Sequence, residues 1–128
     1  MAGAFPPPAM GWRDGVKKIE AIIRPAKFEE VKNALAAANF TSITVTDVNG
    51  RGKQKGIIQQ LMGGQEYRVE ILPKVKVEIT VNDEDVQKVV NIIVSTAWTG
   101  SIGDGKIFVS PVESVIRIRT GERDGQAL

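Results

Sequence analysis

The sequence contains no cysteine and no histidine. Without cysteine there is no disulfide framework and no thiol nucleophile. Without histidine, Ser-His and Cys-His pairs, phosphohistidine chemistry and nearly every zinc site are excluded. Aromatic residues make up only 5%, too few for the stacking platforms with which strand faces hold RNA bases. Charge of one sign is also lacking: 17 Lys and Arg stand against 15 Asp and Glu, a net charge of +2, so no basic excess points to nucleic acid. No segment reaches the ~18 apolar residues of a membrane span. The N-terminus shows no basic region followed by an apolar run, so it does not read as a secretory signal. What remains is a cytoplasmic binding protein with no membrane insertion. Any covalent or general-base step would rest on Asp, Glu, Lys or Tyr.

With 128 residues the chain has room for one domain. Residues 1–15, with Pro6, Pro7 and Pro8, read as a disordered extension or an artefact of expression, and residues 16–128 as the folded part. Lys18 to Arg24 is short, mostly apolar and stopped by Pro25, which predicts a strand. Phe28, Val31 and Leu35 recur at helical spacing behind Glu29 and Glu30, whose charge suits a helix start. Asn39 suits the left-handed residue that stops that helix. Residues 41–48 alternate as a strand. A polar, glycine-rich stretch of about 25 residues, 49–73, is longer than ordinary connections and reads as a functional loop. Residues 74–81 alternate again. Asn82 is positioned to cap a second helix with Asp83, Glu84 and Asp85 in its first turn and an apolar face of Val86, Val89, Val90, Ile93 and Ala97. Short strands are expected at 106–109 and 114–119.

The two halves echo each other, Lys18-Ile19-Glu20-Ala21-Ile22-Ile23 against Lys76-Val77-Glu78-Ile79-Thr80-Val81. Two βαβ units predict an α+β, ferredoxin-like sandwich, an antiparallel sheet with both helices on one face. The other face would be bare and needs a cover, most simply a second copy.

Three stretches carry the chemistry of anion binding. Gly50-Arg51-Gly52-Lys53-Gln54-Lys55-Gly56 mixes glycines, whose amides approach an anion closely, with cations, and it lacks the Walker spacing. Thr99-Gly100-Ser101-Ile102-Gly103-Asp104-Gly105-Lys106 runs from a helix end through a glycine turn to a lysine. Arg117 and Arg119 would share one face of the last strand and grip phosphate oxygens bidentately. The only tyrosine, Tyr67, lies beside Glu66 in the long loop, as a modification site, a partner anchor or an ordinary loop aromatic.

These stretches, with Lys17 to Pro25, Leu72-Pro73-Lys74-Val75-Lys76 and Arg117-Ile118-Arg119-Thr120-Gly121-Glu122, resemble the PII signal-transduction family over residues 17–124. The resemblance implies a ferredoxin-like homotrimer. It implies ATP or ADP in clefts between subunits and 2-oxoglutarate bound beside Mg-ATP. A T-loop, here about 52–73, would control nitrogen-metabolism enzymes or an ammonium transporter. Carried over by position, Gly103, Asp104, Gly105 and Lys106 would hold phosphates, reached by Arg117 and Arg119 of the neighbour. Thr44, Glu78 and Thr80 would lie near the adenine, and Gly52 and Lys53 at the loop base. Gln54 would ligate magnesium. Lys74, the backbone of Lys55 and Gly56, and Arg24 would hold 2-oxoglutarate. Tyr67 matches the position that is uridylylated in relatives. The loop Leu61-Met62-Gly63-Gly64-Gln65-Glu66-Tyr67 departs from the common pattern: it is one residue longer and lacks the arginine that engages an ammonium channel. The expected function is a non-enzymatic regulator of this kind. The alternatives are a divergent paralogue that keeps the nucleotide but has another effector or target, in nitrogenase or transport regulation, and, behind it, a small enzyme on the same fold. Nucleoside diphosphate kinase chemistry lacks its histidine, and an acylphosphatase would need an Arg-Asn pair not seen here.

Overall fold

The computed structural model describes residues 15–53 and 69–128. In chain order the elements are strand β1 (Val16–Ile23), helix α1 (Phe28–Ala37), strands β2 (Thr44–Lys53) and β3 (Val69–Asn82), helix α2 (Val86–Ala97) and strand β4 (Lys106–Val112). The sheet order is β2-β3-β1-β4 and every pairing is antiparallel. This is the ferredoxin-like arrangement expected from the doubled βαβ pattern.

Alternation decides the two faces. Ile19, Ala21 and Ile23 of β1 and Val75, Val77, Ile79 and Val81 of β3 are buried with Val31 and Leu35 of α1 and Val86, Val89, Ile93 and Ala97 of α2. Both helices therefore cover one face, each through residues three, four or seven apart. The intervening strand positions form the opposite face. There Lys18 pairs with Glu78 and Lys76 with Glu20, each at 3.3 Å, and Phe108 stays 51% exposed. Cross-strand ion pairs of this exposure contribute little stability, so the face is polar enough to be wet yet holds a large exposed ring.

The two halves also match in how each helix begins. A single 3-10 turn, Pro25–Lys27 or Asp83–Asp85, precedes the α-helix. Asn82 makes no side-chain cap bond. Instead Asp83 is buried and pairs with Lys17 at 2.7 Å, which ties the start of α2 to β1. Asn39 takes the expected left-handed conformation, at φ 71°.

Two expectations are corrected. Residues 49–53 and 69–73 are strand, not loop: Asn49 pairs with Pro73, Arg51 with Ile71 and Lys53 with Val69. Glycine and polar residues disguise the period, but each strand supplies the other's hydrogen-bond partners. Pro73 is tolerated because β1 pairs with β3 only as far as Val75, so β3 has lost one neighbour there. The loop core, 54–68, with Gln54, Lys55, Gly56 and Tyr67, lies outside the described residues, as does most of the 1–15 segment. The strand expected at 114–119 is also absent. Only Ile116 bridges, to Arg123, and residues 117–122 turn back on themselves. A strand needs a partner strand, and among the described residues this segment has none beyond that bridge.

Candidate functional site

The segment joining α2 to β4 is shaped by one carboxylate. Asp104 Oδ2 accepts the backbone N–H of Thr99 at 2.7 Å and that of Gly100 at 2.9 Å. Its Oδ1 accepts the Thr99 hydroxyl and the Arg24 Nε–H. These donors, led by the Thr99 hydroxyl and amide, hold the Asp104 carboxyl far below the usual carboxylate range against an opposing desolvation. Gly105 closes the loop at φ +103°, and a Cβ there would come within 1.8 Å of the Ile22 carbonyl oxygen. Only glycine lets the loop lie this close to β1.

Two cations reach the same loop from the sheet. Arg24, just past β1, donates through Nη2 to Ile102 O at 2.8 Å. Lys74 on β3 donates to Gly103 O at 2.7 Å. Burial and the nearby Arg24 charge lower the Lys74 pKa, with Asp104 opposing. Positive charge is thus in local surplus, and an anion would relieve it.

A cleft of about 420 Å³ opens beside this loop. Ile22, Leu72, Ile102 and Phe108 supply its apolar wall; Arg51, Lys74 and Lys106 supply charge; Gly50, Gly103 and Gly105 supply bare backbone. Among the described residues that line it none is a carboxylate. Cations and exposed backbone suit it to a polyanion. The carboxylate of Asp104, a residue expected at the phosphates, is bonded to Thr99, Gly100 and Arg24 and so shapes the loop.

A second cleft, about 440 Å³, lies at the other end of the open sheet face. Thr44, Glu78 and Thr80 line it together with Lys18, Ser42, Arg117, Ala127 and Leu128. Thr44 and Glu78 are cross-strand partners, as are Lys18 and Thr80. Along β3 this cleft stands four residues from Lys74, about 13 Å. The predicted set is therefore divided on one chain. Gly103, Gly105, Lys106 and Lys74 gather in the first cleft; Thr44, Glu78, Thr80 and Arg117 gather in the second. Arg119 is exposed and lines neither. Gly52 and Lys53 end β2 next to the first cleft. Among the described residues no group of His, Cys, Asp and Glu could hold a metal ion.

The sequence reading left several participants unassigned. Arg51, in the sequence one member of a basic run, lines the first cleft. Thr99, the main partner of Asp104, could have been found from the Thr-to-Asp spacing across a glycine turn, since such side chains bond nearby backbone. Ala127 and Leu128 carry no signal in the sequence.

This architecture, with a glycine loop between α2 and β4 and cationic clefts on a doubled βαβ frame, is matched by known proteins. The family described as nitrogen regulatory protein P-II matches residues 16–122. The chain belongs to the P-II family. It is 58% identical over 113 residues to nitrogen regulatory protein P-II 2 of Methanothermobacter thermautotrophicus, covering 88% of this chain and 97% of that protein. It is 55% identical to nitrogen regulatory protein P-II of Synechocystis sp., covering 88% and 100%. Among solved structures it resembles the GlnK-ATP complex of B. subtilis with a TM-score of 0.74 and 36% identity, covering 89% of this chain and 96% of that one. The P-II match spans the first cleft, the second cleft apart from Ala127 and Leu128, and the strands that flank residues 54–68.

Proposed function

We propose that this P-II protein is a non-catalytic, cytoplasmic sensor of ATP and ADP that works as a homotrimer, with 2-oxoglutarate as a second effector, and regulates nitrogen-metabolism enzymes or an ammonium transporter. The observation that carries the reading is the division of one anion-binding set between two clefts. A nucleotide needs phosphate cations and a base pocket together. Lys106 stands in the first cleft and Arg117 in the second. They reach one ligand when a neighbouring copy lays its second cleft against this chain's first. Such packing also covers Phe108 and the rest of the open sheet face. A solved relative, B. subtilis GlnK, is described as a complex with ATP, which supports the choice of nucleotide.

The residues fit the ligands. In the first cleft Lys106, Arg51 and the Gly103 and Gly105 backbone suit a polyphosphate; in the second Thr44, Glu78 and Thr80 suit an adenine edge, and Arg117 completes the phosphate set. Lys74 and Arg24, bonded to the adjacent carbonyls of Gly103 and Ile102, flank the place where a dicarboxylate would meet the phosphates. Magnesium would supply a bridge between anionic oxygens. Its one protein ligand in this reading is Gln54, assisted by no acidic cluster among the described residues, so it would bind only with ligands that bring their own oxygens.

Calorimetric titration tests this. Arg117→Ala and Lys106→Ala should each weaken ATP by roughly 2–4 kcal/mol, as a charge-assisted contact is lost from a partly desolvated phosphate. Wild-type affinity in both variants would overturn the site. Binding of 2-oxoglutarate should require Mg-ATP and disappear in Gln54→Ala and Lys74→Ala. If it binds without nucleotide, or not at all, the divergent-paralogue reading takes over.

A further inference from the structure

Arg117, which the nucleotide reading assigns to phosphate, already has occupants in its own chain. Its Nη1 donates to Glu122 Oε1 at 2.8 Å and its Nη2 to the backbone oxygen of Leu128 at 3.0 Å. The surrounding turn holds Glu122 in place. Arg117 N donates to Glu122 O at 2.9 Å and Gly121 N to Arg117 O at 2.7 Å, with Gly121 at φ 77°. The Thr120 hydroxyl donates to the same Glu122 oxygen at 2.9 Å. Beyond it, Asp124 exchanges two bonds with Val115, its N–H to Val115 O at 2.7 Å and its Oδ1 accepting Val115 N–H at 3.2 Å. That anchor lays the short turn Asp124–Ala127 against the second cleft, so that Ala127 and Leu128 line it beside Thr44 and Glu78.

A guanidinium offers a planar fork of N–H donors, and a phosphate takes two of them at once. Both terminal nitrogens of Arg117 are engaged, one by the Glu122 carboxylate and one by the backbone oxygen of Leu128. The two contacts differ in what they can yield. Glu122 carries charge, is bonded twice more within the turn, and keeps Arg117 in place. The Leu128 oxygen makes a single bond to Arg117, at the end of a segment whose polar anchors among the described residues sit at Asp124 and, through Gln126 N to Arg123 O at 3.2 Å, at the turn itself.

We propose that residues 125–128 are a competitor in cis for the nucleotide: Leu128 occupies the phosphate-binding edge of Arg117 beside the base cleft that it lines, and leaves when a nucleotide phosphate takes Nη2. Glu122 is a positioning residue that remains. The competitor sets nucleotide affinity, and so the concentration range over which the protein responds. This rests on the nucleotide reading given above.

The test removes residues 125–128 and keeps Asp124, whose bonds to Val115 hold the turn. ATP and ADP should bind the shortened chain about threefold to tenfold more tightly, the worth of one released hydrogen bond. The oligomer should be unchanged, and the gain should vanish in an Arg117→Ala background. Equal or weaker affinity, or the same gain without Arg117, overturns the competitor. A second measurement uses the full chain: the Leu128 methyl resonances should sharpen and shift on saturation with ATP, and unmoved resonances at saturation overturn the proposal even where the shortened chain folds poorly. Failure of the nucleotide reading itself looks different. Then ATP gives no titration with the full chain, or Arg117→Ala binds it as well as wild type.

Discussion

Asp104 and Lys74 show how single groups build the first cleft. Asp104 keeps its charge for two amides, a hydroxyl and Arg24, and its folded pKa falls well below the ordinary value of 3.8. A carboxyl with a depressed folded pKa contributes stability that is present above its unfolded value and is lost as pH falls below it. Asp104→Asn should therefore be less stable than wild type at neutral pH, and the difference should shrink as pH drops below about 4, read from denaturant unfolding across a pH series. The same variant separates two roles. If the carboxylate faced the phosphates, its neutralisation would tighten ATP; as the organiser of the loop it should weaken ATP instead. Lys74 has the opposite character. Its pKa is lowered by burial and by Arg24, so an anion bound in the cleft raises it, and ligand binding should take up protons at alkaline pH. Calorimetry in buffers of different ionisation enthalpy measures that uptake. Gly105→Ala sets a Cβ against the Ile22 carbonyl and asks alanine to hold φ near +103°. A loss of about 2–4 kcal/mol is expected, seen as a lower Tm.

The elements that position these residues follow from periodicity where a residue faces the core. Val31, Leu35, Val89 and Ile93 are buried where 3.6-residue spacing places them, and Ile93→Ala should cost about 2–5 kcal/mol in unfolding free energy because the packed site cannot collapse around the loss. Periodicity failed where pairing rather than burial makes the element. Residues 49–53 and 69–73 became strand because two irregular sequences meet across a ladder. Residues 114–119 lost a strand because, among the described residues, they meet only the turn that follows them: Ile116 bridges to Arg123, and Gly121 with Thr120 and Glu122 turns the chain back. The start of α2 gives the same lesson: Asp83 looked like a first-turn acid and is a buried partner of Lys17. Lys17→Met should destabilise by about 3–5 kcal/mol, since it leaves the Asp83 charge buried and uncompensated.

At the level of the whole molecule, one chain holds two clefts about 13 Å apart along β3 and an open face with an exposed Phe108. Light scattering should give a mass near three chains. A stable monomer that binds ATP with full affinity would refute the shared site, because Lys106 and Arg117 of one chain stand in different clefts.

Fold class, the doubled βαβ order, the core faces of both helices and the glycine loop with its lysine were legible in the sequence, because hydrophobic spacing and the conformational demand for glycine are local properties. The family was legible for the same reason: its motifs are short and contiguous. Which way a charge points was not local. That Asp104 turns inward, that Arg24 and Lys74 meet the adjacent carbonyls of one loop, and that Leu128 lies on Arg117 were decided by tertiary structure, which joins residues as far as 80 positions apart through hydrogen bonds that leave no period in the sequence.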